Sequence, residues 1–331
     1  MSQKYPGGFI TKSPPALTGS AAKGVWTLDQ AMQLKKQGLW SPFVPDAPTI
    51  GTAIVTGSTT ATVAFTAPAS DGGLPITLYT ATSSPGGVTG TLSQAGSGTI
   101  TVSGLTASTA YTFTVKATNA VGQGAASAAS NSITTLPVAP AIGSSLGGGY
   151  YSGRINQSGT IYNLITAPKA SGQSSLAWKI NTTGGDPTSL IDGPANSAFM
   201  NSATYPAAQF CEGLTIGGFS DWYMPARNEL SVQYYFLKPT TASNNVNAGS
   251  NANAVSPQPV STNYSSGSPA QTSASTFQSG NSEAFTDNIY WSSTQDGYAG
   301  AGRTVNFSDG AQYSSFKYAV TPVRAVRRVT A

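Results

Sequence analysis

Apolar and polar side chains alternate with a period of two at four places in the first half of the chain. These are Ala61–Pro68, Ile76–Ala81, Thr99–Val102 and Tyr111–Asn119. Strict alternation places every second side chain on one face, so each stretch predicts a half-buried strand. Asp71-Gly72-Gly73 supplies a turn between two of them. Beyond residue 147 the pattern is mixed. Tyr150–Ile155 and Tyr162–Ile165 predict strands, and Tyr205–Glu212 predicts a short helix with Phe210 and Cys211 turned inward. Leu230, Tyr234 and Leu237 recur at helical spacing over Ala226–Leu237. Pro225 suits the first helical position, and Pro239 ends the run. Tyr290–Ser293, Arg303–Phe307 and the region Tyr318–Val329 predict late strands. Near the start, Leu28–Gln37 is rich in helix formers. Thr27 and Gln30 make a capping box, Lys35 and Lys36 sit in the last turn, and Gly38 ends it.

These patterns divide the chain into residues 1–45, a β module over 46–136, a Pro/Gly linker over 137–146 and an α+β module over 147–331. The fold class is mainly β and multidomain, with a mostly irregular N-terminal segment holding one short helix. A ten-residue helix is marginal by itself. Tyr5, Phe9, Ile10, Trp26, Leu28, Met32 and Trp40 have no module of their own to enter. They are therefore expected to dock on another protein.

Composition narrows the function classes. Charged residues make up 8% of the 331, histidine is absent and Cys211 is the sole cysteine. An internal disulfide, a cysteine-based zinc site and a Ser-His-Asp triad are excluded. The net charge of +4 comes from residues 1–45, where five dispersed lysines face Asp29. No stripe of arginine and aromatic residues accompanies them, so no nucleic-acid partner is expected. No run of 18 apolar residues exists, so no membrane insertion is expected. The start lacks an apolar signal core. The expectation is synthesis in a host cytoplasm and exit by a route such as lysis. Asp186, Asp192, Asp221, Glu229, Glu283, Asp287, Asp296 and Asp309 offer carboxylate pairs for glycoside cleavage, but no spacing favours one pair. Asn306, Asp309 and Asp296 are too sparse for a calcium commitment. The expectation is no enzyme, no cofactor and no metal.

Four blocks in order carry a family resemblance. They are Gly217-Gly218-Phe219-Ser220-Asp221-Trp222-Tyr223-Met224-Pro225-Ala226-Arg227-Asn228-Glu229-Leu230, then Tyr290-Trp291-Ser292-Ser293-Thr294, then Val305-Asn306-Phe307-Ser308-Asp309-Gly310, then Val323-Arg324-Ala325-Val326-Arg327-Arg328-Val329. They resemble the Lcl-type C-terminal domain, which implies a C-type-lectin-like surface-binding module. The strand pattern over 46–136 resembles a fibronectin type III domain, with Phe65 where that family usually has Trp. The resemblance implies a tyrosine corner in which Tyr111 bonds to upstream backbone. Pro6-Gly7-Gly8-Phe9-Ile10-Thr11-Lys12 and Gly24-Val25-Trp26-Thr27-Leu28-Asp29-Gln30-Ala31 resemble the start of minor structural proteins of tailed phages, which implies a virion-docking adaptor.

Within the Lcl-type blocks, Trp222 and Trp291 are read as core aromatics in preference to sugar platforms. Asp221 caps a turn or pairs with an arginine. Arg227 and Glu229 tie the fold together, with Arg324, Arg327 and Arg328 as candidate partners. Pro225, Asp309 and Arg327 belong to the same structural set. Thr240–Asn281 is different: about forty residues, mostly Asn, Ser, Ala, Thr, Gly, Pro and Gln with the aromatics Tyr264 and Phe277, a long stretch without the look of a regular element. Asn244, Asn245, Asn251, Asn253, Tyr264, Gln271 and Phe277 are its candidate receptor contacts, and packing within an assembly is the alternative. The combined expectation is a virion protein, a tail fibre, spike or capsid-attached fibre. Its lectin-like tip meets a host-surface glycan or receptor, and it forms a homo-oligomer, a trimer being one form. The alternatives are a purely structural decoration, collar or tail subunit, or a bacterial surface adhesin.

Overall fold

The computed structural model describes residues 3–5, 8–10, 42–181, 185–255 and 257–331. The chain divides into two compact units, Met1–Thr135 and Leu136–Ala331. In the first, β1 (Gln3–Tyr5) pairs antiparallel with β2 (Gly8–Ile10), which places Tyr5, Phe9 and Ile10 on strands. The helix expected over Leu28–Gln37 and the docking residues Trp26, Leu28, Met32 and Trp40 lie outside the described residues.

The alternating stretches form two sheets. One holds β3 (Thr49–Val55), β4 (Thr60–Thr66) and β7 (Gly98–Ser103) in the order β3-β4-β7. The other holds β5 (Leu78–Ser84), β6 (Thr89–Leu92), β8 (Ala110–Thr118), β9 (Gln123–Ala126) and β10 (Ile133–Thr134), with β8 and β5 at its centre. The four expected strands are β4, β5, β7 and β8, each shifted by no more than a few residues. The buried positions of β4 and β8 alternate without a break. Val63, Phe65, Tyr79, Ile100, Val102, Phe113 and Val115 meet in one apolar core. Phe65 lies against Tyr79 with ring centroids 4.3 Å apart. The Thr106 amide donates to the Tyr111 hydroxyl at 2.9 Å, which closes the tyrosine corner.

The second unit is α+β. A four-stranded sheet runs β11 (Ser145–Leu146), β12 (Gly149–Gln157), β13 (Thr160–Thr166) and β19 (Val326–Thr330). β14 (Gln173–Ala177) pairs with β18 (Val320–Arg324). A third sheet runs β15 (Ile289–Gln295), β16 (Ala301–Asn306) and β17 (Gln312–Phe316). The helices are α1 (Lys169–Gly172), α2 (Gly193–Phe199), α3 (Pro206–Glu212) and α4 (Arg227–Leu237). Residues 143–146, expected in the linker, are built into this unit: Ser145 and Leu146 pair with β12, and the Gly143 amide donates to Tyr151.

Pro225 departs from its expected place. Ala226 is the N-cap of α4, so Pro225 stands one position before the cap. Its carbonyl accepts the Ser293 amide at 2.7 Å and ties the helix start to β15. α4 buries Leu230, Tyr234 and Leu237, as their spacing requires. Tyr234 packs edge-on to Phe307, which itself stacks on Phe285 at 3.9 Å.

Candidate functional site

The four motif blocks lie in the second unit and are largely buried, apart from the exposed stretch 217–221. Trp222 and Trp291 are buried. The Trp291 indole donates to Leu176 and the Trp222 indole to Phe219, at 3.0 Å each. Strand β15 is a stitching element. Ser292 donates to the Arg303 carbonyl and Thr294 to the Ser189 carbonyl, while the Trp178 indole donates to the Ser292 carbonyl. Asp221 takes two hydrogen bonds from Arg327, at 2.7 and 2.9 Å, and the Arg327 guanidinium also covers the Phe219 ring. Asp309 shapes a turn by accepting the Ala311 amide. Arg227 bonds to Asn228 and Gln312 and forms no ion pair in the described residues.

Glu229 is enclosed completely. It accepts from the Ala226 amide and the Tyr223 hydroxyl at 2.8 Å each, and Arg328 stands 3.5 Å away. Burial outweighs these three partners and pushes the Glu229 carboxyl up to about 7. A Cβ at Gly193 would strike this carboxylate, so the residue opening α2 has to be small. Arg324, another candidate partner of Glu229, pairs with Glu283 and donates to the Ala167 carbonyl at 2.8 Å. Beside these groups lies an open groove of about 480 Å³ lined by Tyr162, Glu212, Trp222, Tyr223 and Arg328. In it, Arg328 contacts Asp192 at 3.3 Å and covers the Tyr162 ring.

The 240–281 segment packs onto the unit. Tyr264 and Phe277 lie in the same apolar cluster as Tyr234 and Phe307. The Asn244 amide donates to the carbonyls of Ser265, Ser266 and Pro269, and its oxygen accepts from Tyr234. Asn251 donates to the Asn228 carbonyl, Asn253 to the Asn156 carbonyl and Gln271 to the Pro239 carbonyl. Asn245 is half-buried, with its amide on the Asp309 carbonyl. In this conformation the side chains of Asn244, Asn251, Tyr264 and Phe277 face the interior. Asn residues in a segment without strands satisfy its loose carbonyls, which is why they look like ligand contacts in the sequence.

The open chemistry lies on another face, where the β15–β16 turn meets β17. The turn Asp296–Gly300 joins β15 to β16, closed by Asp296 N–H to the Ala301 carbonyl and Ala301 N–H to the Tyr298 carbonyl, at 3.0 Å each. Tyr298 leans over Gly300, where a Cβ would meet its ring at 2.7 Å. Tyr298, Phe316 and Tyr318 are each more than half exposed, and Phe316 and Tyr318 lie parallel with centroids 5.4 Å apart. Tyr298, Phe316, Asp296, Ser314 and Ala301 line a cavity of about 310 Å³. Asp296 accepts Ser314 Oγ and Arg303 Nη2 at 2.5 Å each. Partial burial works to raise the Asp296 carboxyl, but bonds from Ser314, Gly297 and Tyr298 and the Arg303 charge outweigh it and hold it below its usual range. Sequence reasoning missed this face. Its one signal is a tyrosine inside a Gly-rich turn, Asp296-Gly297-Tyr298-Ala299-Gly300, followed by aromatics at 313, 316 and 318.

No group of three or more His, Cys, Asp or Glu among the described residues could hold a metal ion. No described helix is long and apolar enough to cross a membrane.

The molecule is thus a β-sandwich module joined to an α+β module that buries most of its motif residues and leaves Tyr298, Phe316 and Tyr318 exposed. Residues 46–133 match the fibronectin type III domain, and residues 171–327 match the Lcl C-terminal domain, so the chain carries one domain of each family. No curated protein matches the chain significantly. Among solved structures, titin domains A168–A170 are 30% identical, with 29% of this chain and 33% of that chain covered and a TM-score of 0.26. The twitchin kinase region from C. elegans is 23% identical, over 29% of this chain and 17% of that one, with a TM-score of 0.24. The chicken CNTN1 FN1–FN3 domains are 24% identical, over 37% and 42%, with a TM-score of 0.25. The chain spans less than half the length of each.

Proposed function

We propose that this chain is a surface-displayed adhesive protein whose C-terminal module binds a cell-surface glycan. The observation that carries the reading is the exposed aromatic face of that module: three rings left in water beside a cavity with polar groups. Large exposed apolar side chains gathered on one face mark an interaction site. The module has the Lcl-type match and, on this reading, a C-type-lectin-like fold. The fibronectin type III module serves as a spacer. The N-terminal segment docks the chain on a virion, in keeping with its resemblance to tailed-phage structural proteins. Several copies on one particle, as a trimer or otherwise, turn weak single contacts into strong attachment.

Binding fits better than catalysis. Six of the eight carboxylates considered for glycoside cleavage are held in ion pairs: Asp186, Asp192, Asp221, Glu229, Glu283 and Asp296. A second reading has its own support. The 240–281 segment packs as structure, and an aromatic face can also seat a neighbouring virion subunit. The deciding experiment is binding of the fluorescently labelled full chain to bacterial cells with and without their surface polysaccharide. Saturable binding that disappears with the polysaccharide supports the adhesive reading. Absence of binding by a multimerised chain overturns it in favour of the structural subunit.

A further inference from the structure

We infer that the cavity formed by Tyr298, Ser314 and Phe316, with Arg303 at its edge, is a subsite for a neutral pyranose ring. The inference rests on the glycan reading and adds the place and the ligand class.

Consider first what each polar group has left to offer. A carboxylate has about four acceptor positions. Asp296 fills them with Ser314 Oγ, Arg303 Nη2 and the amides of Gly297 and Tyr298. Asp296 is thus a positioning residue that takes no ligand contact itself. Because the Ser314 hydroxyl proton is committed to Asp296, its oxygen faces the cavity as an acceptor. Arg303 carries five N–H donors, and its side chain is 35% exposed, so donors remain for a ligand oxygen. The Tyr298 hydroxyl, at the end of an exposed ring, both donates and accepts. The wall therefore offers acceptors and donors side by side, as a ring of hydroxyl groups requires.

The apolar part matches the other side of such a ligand. Exposed aromatic rings present flat faces with a polar tip, and a pyranose has an apolar face of C–H groups. Tyr298 and Phe316 border one cavity, with the Ala301 side chain buried beneath them. About 310 Å³ is at the small end of ligand sites, enough for one or two sugar rings. Charge decides the class. Asp296 and Arg303 cancel each other within the site. A uronate or sulfate would bring a second negative charge up against the ionised Asp296 carboxylate. An ammonium group would find the Asp296 oxygens already occupied. A neutral hexose meets neither cost.

The test uses the full chain, fluorescently labelled and multimerised, on an array of immobilised neutral, amino-sugar and uronic-acid-containing polysaccharides. The partner variant carries Tyr298→Ser and Phe316→Ser together, both at exposed positions, with its melting temperature measured as a folding control. The expected result is binding to neutral glycans, reduced at least tenfold in the variant, with Asp296→Asn giving a smaller loss. Binding confined to charged glycans would overturn the inference. Neutral-glycan binding unchanged in the variant would overturn the subsite while leaving the adhesive reading in place. Absence of binding to every glycan, together with absence of cell binding, would overturn both.

Discussion

The two units keep their cores together by different means. Among the described residues, the fibronectin type III module buries no charged side chain and only a few polar ones, Ser83, Asn119, Ser127 and Thr135. The Lcl-type module buries Lys179, Asp186, Glu229, Lys238, Glu283, Lys317 and Arg324. The reason lies in the backbone. In the sandwich, sheet ladders satisfy most interior N–H and C=O groups, so the core can be left to hydrocarbon. The second module encloses long segments without ladders, and their carbonyls need donors from elsewhere. Lysine and arginine bring several donors each. Lys238 donates to the Ala242 and Pro269 carbonyls, Lys317 to Ala299, and Arg324 to Ala167 and Glu283. Carboxylates then balance the buried charge. Asp186 accepts Lys179 at 2.7 Å and Lys317 at 2.5 Å, and Tyr205 donates to it as well.

The contrast is broken most directly at Asp186. Asp186→Ala takes the shared carboxylate from two enclosed ammonium groups, and loss of one partner from a buried charge network costs about 3–5 kcal/mol. The expected outcome is early melting of the second module with the sandwich transition unmoved. Cys211 reports it specifically: it is fully buried with its thiol pushed up by desolvation, so it resists thiol reagents until this module opens. Equal labelling rates in wild type and variant would refute the account.

Glu229 gives a pH-dependent test. Its folded-state value of about 7 exceeds the ordinary carboxyl value of 4.5. Between those values the folded form holds a proton that the unfolded form has lost, so the group's contribution falls as pH rises from about 4.5 to about 7. Glu229→Gln keeps the neutral shape. Relative to wild type, the variant's second module should gain melting temperature on going from pH 5 to pH 8. A difference independent of pH would mean that Glu229 is ionised in the fold. Asp186 has the opposite sign. Burial acts to raise it, but Lys179, Lys317 and Tyr205 prevail and hold it below its ordinary value. Its contribution is present above the unfolded value and lost as pH falls through the folded one, in a strongly acid window.

The smallest effect falls in the sandwich. Tyr111→Phe removes the acceptor of the Thr106 amide. About 1 kcal/mol of the first module's stability should go, read as a lower denaturation midpoint with the second module unchanged. A shift shared by both modules would show that they do not unfold independently.

Much of the sandwich was readable in advance because its signal is local. Val63, Phe65, Phe113 and Val115 alternate with polar neighbours, and alternation alone dictates which face is buried. In the second module, Leu230, Tyr234 and Leu237 announced their helix in the same way. The partners of the charged residues were not readable. Arg324, Arg327 and Arg328 lie within five positions, yet they pair with Glu283, Asp221 and the Glu229–Asp192 pair, 41 to 136 positions away. The polar 240–281 segment resembled a contact loop because composition does not say whether an asparagine faces water or a stray carbonyl.

By itself, then, the sequence determined the two-module plan, the sandwich strands and the apolar face of α4, since periodicity is a property of neighbouring positions. Only the tertiary structure decided which charges meet, where the loop asparagines point and which aromatics stay outside. Those outcomes depend on how distant segments fill space around unsatisfied carbonyls, and no window along the chain contains that information.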